Sequence, residues 1–263
     1  MSAFAYERYC SEIVSQTGLL RAAFQGADLA APVPTCPDWT LADLLLHLGT
    51  AHRNIEKAAR ERGREPLADA TPLTPADGPD PADADALDVW LADGARTLAR
   101  TLRDAGPDAR VRPFGIDQSA AFWARRAAHE TVIHRADAAA TTGADYTVDA
   151  ALAADCLDEW LEMVSLIMTL GIRPELKDLL GPGRTLHLHT TDTPPEAEGE
   201  WFLDLTGDRI AWRHAHEKAA VAVRGPVADV LRVLYRRLPA DFDTVTVAGD
   251  RGVLDLWLEK ARF

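Results

Sequence analysis

Apolar residues recur at helical spacing through the first two thirds of the chain and at strand spacing through the last third. Phe4, Tyr9, Ile13, Val14, Leu19, Leu20 and Phe24 predict a helix over 3–25, ended at Gly26. An irregular stretch from Pro32 to Pro37 leads into Asp38-Trp39-Thr40. Thr40 is a good N-cap with Asp43 as its acidic partner three residues on, so a second helix runs to about residue 61. Residues 62–85, rich in Pro, Ala and Asp, read as a mobile surface connection. The acidic segment 68–88, which overlaps them, fits disorder better than a lid. Further helices fit 86–104, 118–141 and 147–171.

The period changes after residue 172. Pro174 and Gly181-Pro182-Gly183 break the chain, and Arg184 to Thr190 then alternate. Strands are expected at 201–205, 209–213, 218–223 and 244–248, with helices at 226–238 and 252–261. The fold class is therefore α+β in two domains: a helical unit over 1–172 and a small, mainly antiparallel α+β domain over 183–263. No internal repeat is evident.

Composition narrows the function classes. The net charge of −13, from 41 acidic and 28 basic residues, works against polyphosphate binding and so against nucleic acid as a partner. No apolar run is long enough to span a bilayer, and Glu7, Arg8 and Glu12 interrupt any secretory h-region, so a cytoplasmic protein is expected. Cys10, Cys36 and Cys156 are too widely spaced for a disulfide framework or a thiolate zinc site.

The sharpest chemical signal lies on the fourth helix. His129, Glu130 and His134 superficially resemble the HExxH motif, but the two histidines are five apart and diverge by about 140° around a helix. Glu130 and His134 are four apart and stack on one face. His47 shares the apolar face of the second helix with Leu44, Leu48, Ala51 and Ile55, and supplies the third ligand. Taken alone it would read as a hydrogen-bonded core histidine. Two His and one Glu around zinc is the composition of open, catalytic sites, and nickel, iron or manganese accept the same donors. Asp43 and Asp137 are candidates to orient the imidazoles. Trp123 is a candidate wall of the metal pocket, and Trp39, Trp90, Trp123 and Trp160 are expected in the bundle core or at its rim.

Pro37-Asp38-Trp39-Thr40, His47-Leu48-Gly49 and Ala128 to Asp137 resemble the actinobacterial maleylpyruvate isomerase family of mycothiol-dependent enzymes, within the DinB-like metalloprotein superfamily. Thr191-Asp192, Trp201, Arg224-Gly225-Pro226 and Gly249-Asp250 extend the likeness through the C-terminal half. The resemblance implies an N-terminal DinB-like four-helix bundle and a C-terminal domain like sterol carrier proteins. It implies zinc on His47, Glu130 and His134, and mycothiol as thiol cosubstrate. The thiolate would add to a small electrophile, giving cis–trans isomerisation or S-transfer. An arginine of the C-terminal domain is expected to hold an anionic substrate, with Arg236 and Arg237 as candidates and Arg126 and Arg135 as further anion partners.

The alternatives are a non-catalytic metal-containing binding or regulatory module, and metal-assisted hydrolysis by bound hydroxide. The expected assembly is a monomer or homodimer. His187 and His189 alternate on one strand, His214 and His216 on another. They would form a second metal site if the strands were neighbours; half-exposed strand histidines are the commoner reading.

Overall fold

In the computed structural model, described here over residues 6–61 and 73–262, the chain forms two compact units. One ends at Tyr146 and the other begins at Thr147.

The first unit is built on four long helices: α1 (Tyr6–Phe24), α2 (Leu41–Arg60), α3 (Ala84–Ala105) and α4 (Ala120–Thr142). Two short hairpins complete it: β1 (Pro32–Val33) with β2 (Cys36–Thr40), and β3 (Arg110–Val111) with β4 (Gln118–Ser119). The α2 helix starts where its sequence says it should. The Thr40 hydroxyl accepts from Asp43 N–H, and the Asp43 carboxylate accepts from Thr40 N–H, a reciprocal capping box. The α4 helix is alanine-rich and buried around most of its circumference, as a helix central to a core must be. It packs on α1 and α2, while α3 packs on α1 and α2. A Cβ at Gly49 would fall 2.0 Å from a ring carbon of Trp90, so the glycine lets α3 close on α2 beside His47.

Of the connection expected over 62–85, residues 62–72 lie outside the described residues, as does the start of the helix expected over 3–25. Beyond them the Asn54 side chain brackets the Leu73 backbone, donating to its carbonyl (3.0 Å) and accepting from its N–H (2.7 Å).

The second unit contains α5 (Ala150–Thr169), the strands β5 (Thr185–Thr190), β6 (Glu200–Asp204), β7 (Ala211–His214) and β8 (Val221–Gly225), then α6 (Val227–Leu234), β9 (Thr246–Gly249) and α7 (Arg251–Lys260). The sheet order is β7-β6-β5-β8-β9, antiparallel except for the β5–β8 pair. Alternation sorts its faces. Leu186, Leu188, Trp201, Leu203, Val221 and Val223 are paired across the ladder and wholly buried. His187, His189, Glu200 and Phe202 project from the other face.

The division falls earlier than the boundary expected at 172–183, because α5 packs with the C-terminal elements. Trp160 of α5 lies against Tyr235 (5.4 Å between centroids) and Trp257 (5.5 Å), not in the helical bundle as expected. Asp158, also on α5, accepts from Trp201 Nε1 (2.6 Å). Among the described residues, no helix is long and apolar enough to cross a membrane.

The α2–α4 seam carries a buried histidine. Thr131 donates its hydroxyl hydrogen to the Ala127 carbonyl (2.7 Å), so it must accept from His52 Nε2–H (2.9 Å). Burial lowers the His52 pKa to about 4, below the roughly 6.5 of an unfolded chain. The unfolded state therefore binds the proton first, and stability present above pH ~6.5 is lost as pH falls toward 4, by about 3 kcal/mol. Urea unfolding of wild type and His52→Gln at pH 7 and pH 4 checks this: the wild type loses about 3 kcal/mol more than the variant.

Candidate metal centre

His47 projects from the middle of α2 and Glu130 and His134 from successive turns of α4. His47 Nε2 lies 3.2 Å from Glu130 Oε1, and His134 Nε2 lies 4.0 Å from the same oxygen. One ligand atom from each residue falls within 4.8 Å of the others. Four-coordinate zinc at ~2.0–2.2 Å from each donor needs donors about 3.3–3.5 Å apart, so small side-chain adjustments suffice. The site is half open: the His47 side chain is 36% exposed, Glu130 19% and His134 12%.

The surrounding groups fix protonation. Asp137 is wholly buried, and its Oδ2 accepts from His134 Nδ1 (2.9 Å), which leaves the Nε2 lone pair facing Glu130. Its other oxygen accepts from Thr35 (2.5 Å), in the turn between β1 and β2. That bond ties the hairpin to α4 and sets Trp39 of β2 against His47 and His134, at 4.7 and 6.0 Å between centroids. At Glu130, burial pushes the carboxyl upward. The hydrogen bond with His47 and the charges of Arg126, His134 and His47 more than reverse this, and hold it well below the usual carboxylate range. Glu130 is thus ionised at neutral pH.

Other expectations resolve differently. Asp43 does not orient an imidazole; its carboxylate is spent on the α2 cap, receiving the Thr40 N–H (2.9 Å) and hydroxyl (2.7 Å). Trp39 rather than Trp123 lines the cluster. Trp123 packs against Phe122 and Phe114 and donates to the Val111 carbonyl (3.1 Å). His129 is fully buried against Tyr9 of α1, on a different side of α4 from the cluster.

Among the arginines, Arg126 Nε stands 3.8 Å from Glu130 Oε2, one turn before it. Arg135 is buried with its guanidinium over the Tyr146 ring (4.4 Å), a packing role. Arg236 and Arg237 belong to the second unit. Arg236 is exposed, with a left-handed backbone (φ 61°) in the turn after α6, and Arg237 donates to the Tyr235 carbonyl (2.7 Å).

A helical unit carrying two histidines and a glutamate on facing helices, followed by an α+β unit, defines a class of candidate metalloproteins. Residues 10–139 match the model of the mycothiol maleylpyruvate isomerase N-terminal domain, and residues 151–256 match the C-terminal domain model of the same proteins. The chain belongs to the mycothiol maleylpyruvate isomerase family, an enzyme family. The two matches separate where the two units do, with α5 on the C-terminal side. No curated protein matches it in sequence. Its fold is similar to the crystal structure of the mycothiol-dependent maleylpyruvate isomerase, with a TM-score of 0.58 and 16% identity over 93% of both chains. A histidine-to-alanine mutant of that enzyme gives 0.56 and 16% over the same share of each chain.

The two aspartates provide a direct comparison. Asp137→Asn replaces the carboxylate behind the His134 imidazole with a neutral amide that keeps only one acceptor for His134 and Thr35, and weakens metal binding at this cluster about 10–100-fold in chelator competition. Asp43→Ala leaves that affinity unchanged and lowers urea stability by about 1 kcal/mol, the usual loss with a helix cap.

Proposed function

We propose that this protein is a zinc-dependent enzyme that activates a low-molecular-weight thiol, mycothiol, for isomerisation of, or S-transfer to, a small electrophile. The observation that carries the reading is the convergence of His47, Glu130 and His134, three donors with one side left open. Two neutral imidazoles and one carboxylate leave a divalent ion with net positive charge. Such an ion lowers the pKa of a thiol, making it a nucleophile at neutral pH.

The chain's own residues would do the rest. Glu130 and the two imidazoles hold the ion, and Asp137 keeps the His134 lone pair directed at it. Trp39 covers both imidazoles on one side and limits water there. The more exposed side chain of His47 marks the edge by which thiol and electrophile enter. Arg126, beside Glu130, is placed to steer an anionic group toward the cluster. Arg236 and Arg237 remain candidates for holding a substrate carboxylate. Family membership supports a thiol partner; the electrophile is set by the pocket and not by the fold.

In tag-free protein, His47→Ala lowers bound metal by one equivalent per chain and abolishes mycothiol-dependent turnover across a panel of electrophiles. Metal analysis and thiol-consumption assays measure both. Turnover indifferent to added thiol would replace the reading with metal-assisted hydrolysis, and full metal with no turnover would replace it with a binding module. For an anionic electrophile, neutralising the arginine that holds it raises KM by about 10–100-fold, the strength of a hydrogen bond to a charged group. Steady-state kinetics of Arg126→Gln, Arg236→Gln and Arg237→Gln identify which one does so.

A further inference from the structure

The second unit holds a separate cluster that the proposed chemistry does not use. His187 and His189 project from one face of β5, and Glu200 on β6 stands directly opposite His189 in the ladder. His216 reaches them from the segment after β7. His187 Nε2 and His216 Nδ1 lie 2.9 and 2.5 Å from Glu200 Oε2, and His189 Nδ1 lies 3.5 Å from Oε1. The three imidazoles are 5.1–5.8 Å apart between centroids and mutually edge-on. One ligand atom from each of the four residues falls within 4.8 Å of the rest. His214 does not take part; it turns to Asp158 (3.1 Å) and the Glu198 carbonyl (2.8 Å).

We infer that His187, His189, Glu200 and His216 form a second divalent-metal site, for zinc or a similar nitrogen-preferring transition ion. Three imidazoles and a carboxylate satisfy four-coordinate zinc completely. No position is left for substrate, so the site is structural and not catalytic. Imidazole donors also select against magnesium and calcium, which prefer oxygen.

The topology says what the ion would do. β7 and β8 run parallel but lie on opposite sides of β6 and β5, and only residues 215–220 connect them. Three strand spacings are about 14 Å, and a connection that short reaches at most roughly 20 Å. The crossover is therefore short and direct, without the covering helix usual between parallel strands. His216 lies in this crossover and meets the face of β5 and β6 through the cluster. An ion there would staple the crossover to the sheet.

The test uses full-length, tag-free, metal-stripped protein and zinc chloride alone, followed by calorimetry. Wild type takes up two equivalents and His47→Ala takes up one, bound by the sheet cluster. His47→Ala with His216→Ala takes up none; His216 is 74% exposed, so its loss does not threaten folding, and circular dichroism verifies that. As a structural readout, zinc slows tryptic cleavage after the exposed Lys218 at least tenfold in His47→Ala and not in the double variant. Failure of His47→Ala to bind zinc at micromolar concentration overturns the inference. So does an equivalent that survives both His216→Ala and His189→Ala. Neither readout involves turnover, so the result is independent of the thiol chemistry proposed for the helical unit.

Discussion

A carboxylate lodged between two helices must be answered by positive charge, and the first unit is organised around that requirement at Glu130. Burial alone would drive this group toward its neutral form, and an unanswered charge there would weaken the fold. The Arg126 guanidinium, one turn before Glu130 on α4, and the hydrogen bond with His47 of α2 supply the compensation. The contacts beyond them then acquire a purpose. The His52–Thr131 bond fixes the α2–α4 seam one turn from His47. The Thr35–Asp137 bond anchors the hairpin that carries Trp39. The α2 cap sets where that helix begins and hence the height at which His47 projects.

The convergence of His47, Glu130 and His134 could be read from sequence because helical geometry leaves little freedom. Residues four apart share a face, so Glu130 and His134 were a pair whatever the fold, and His47 sat among leucines that had to point inward. Asp43 and Asp137 show the limit. Each stands three or four residues from a histidine of the cluster, and spacing could not separate them. The distinction is where each lies on its helix: Asp43 at the first turn serves free backbone N–H groups, whereas Asp137 in the body of α4 has only side chains to serve. Trp39 was missed as the cluster's wall because the β1–β2 hairpin is too short and irregular to show a period, and its placement depends on the distant Asp137.

The allegiance of α5 was illegible for a related reason. Periodicity identifies which face of a helix is buried but not the surface it meets. The apolar stripe containing Trp160 would have suited a fifth bundle helix. Its partners, Tyr235 and Trp257, come from segments 75 and 97 residues on, and the polar link from Asp158 to Trp201 needs the sheet to exist first. The class of the C-terminal unit, by contrast, followed from the alternation in β5 alone, because period two cannot be accommodated on a helix.

Two histidine clusters in one chain invite the assumption that they do the same thing, and donor number argues otherwise. On α4 a spacing of four, and on β5 a spacing of two, each place a pair of side chains on one face about 6 Å apart. The helical pair gains one further donor from α2 and, among the described residues, stops at three. The strand pair gains a carboxylate from the neighbouring strand and an imidazole from the crossover, and reaches four. A three-donor cluster leaves a cation able to bind and polarise a thiol; a four-donor cluster leaves it able only to hold chain segments together. The difference in donor number between the two clusters therefore comes from one residue, His216, whose place is set by the short path from β7 to β8 and not by any motif.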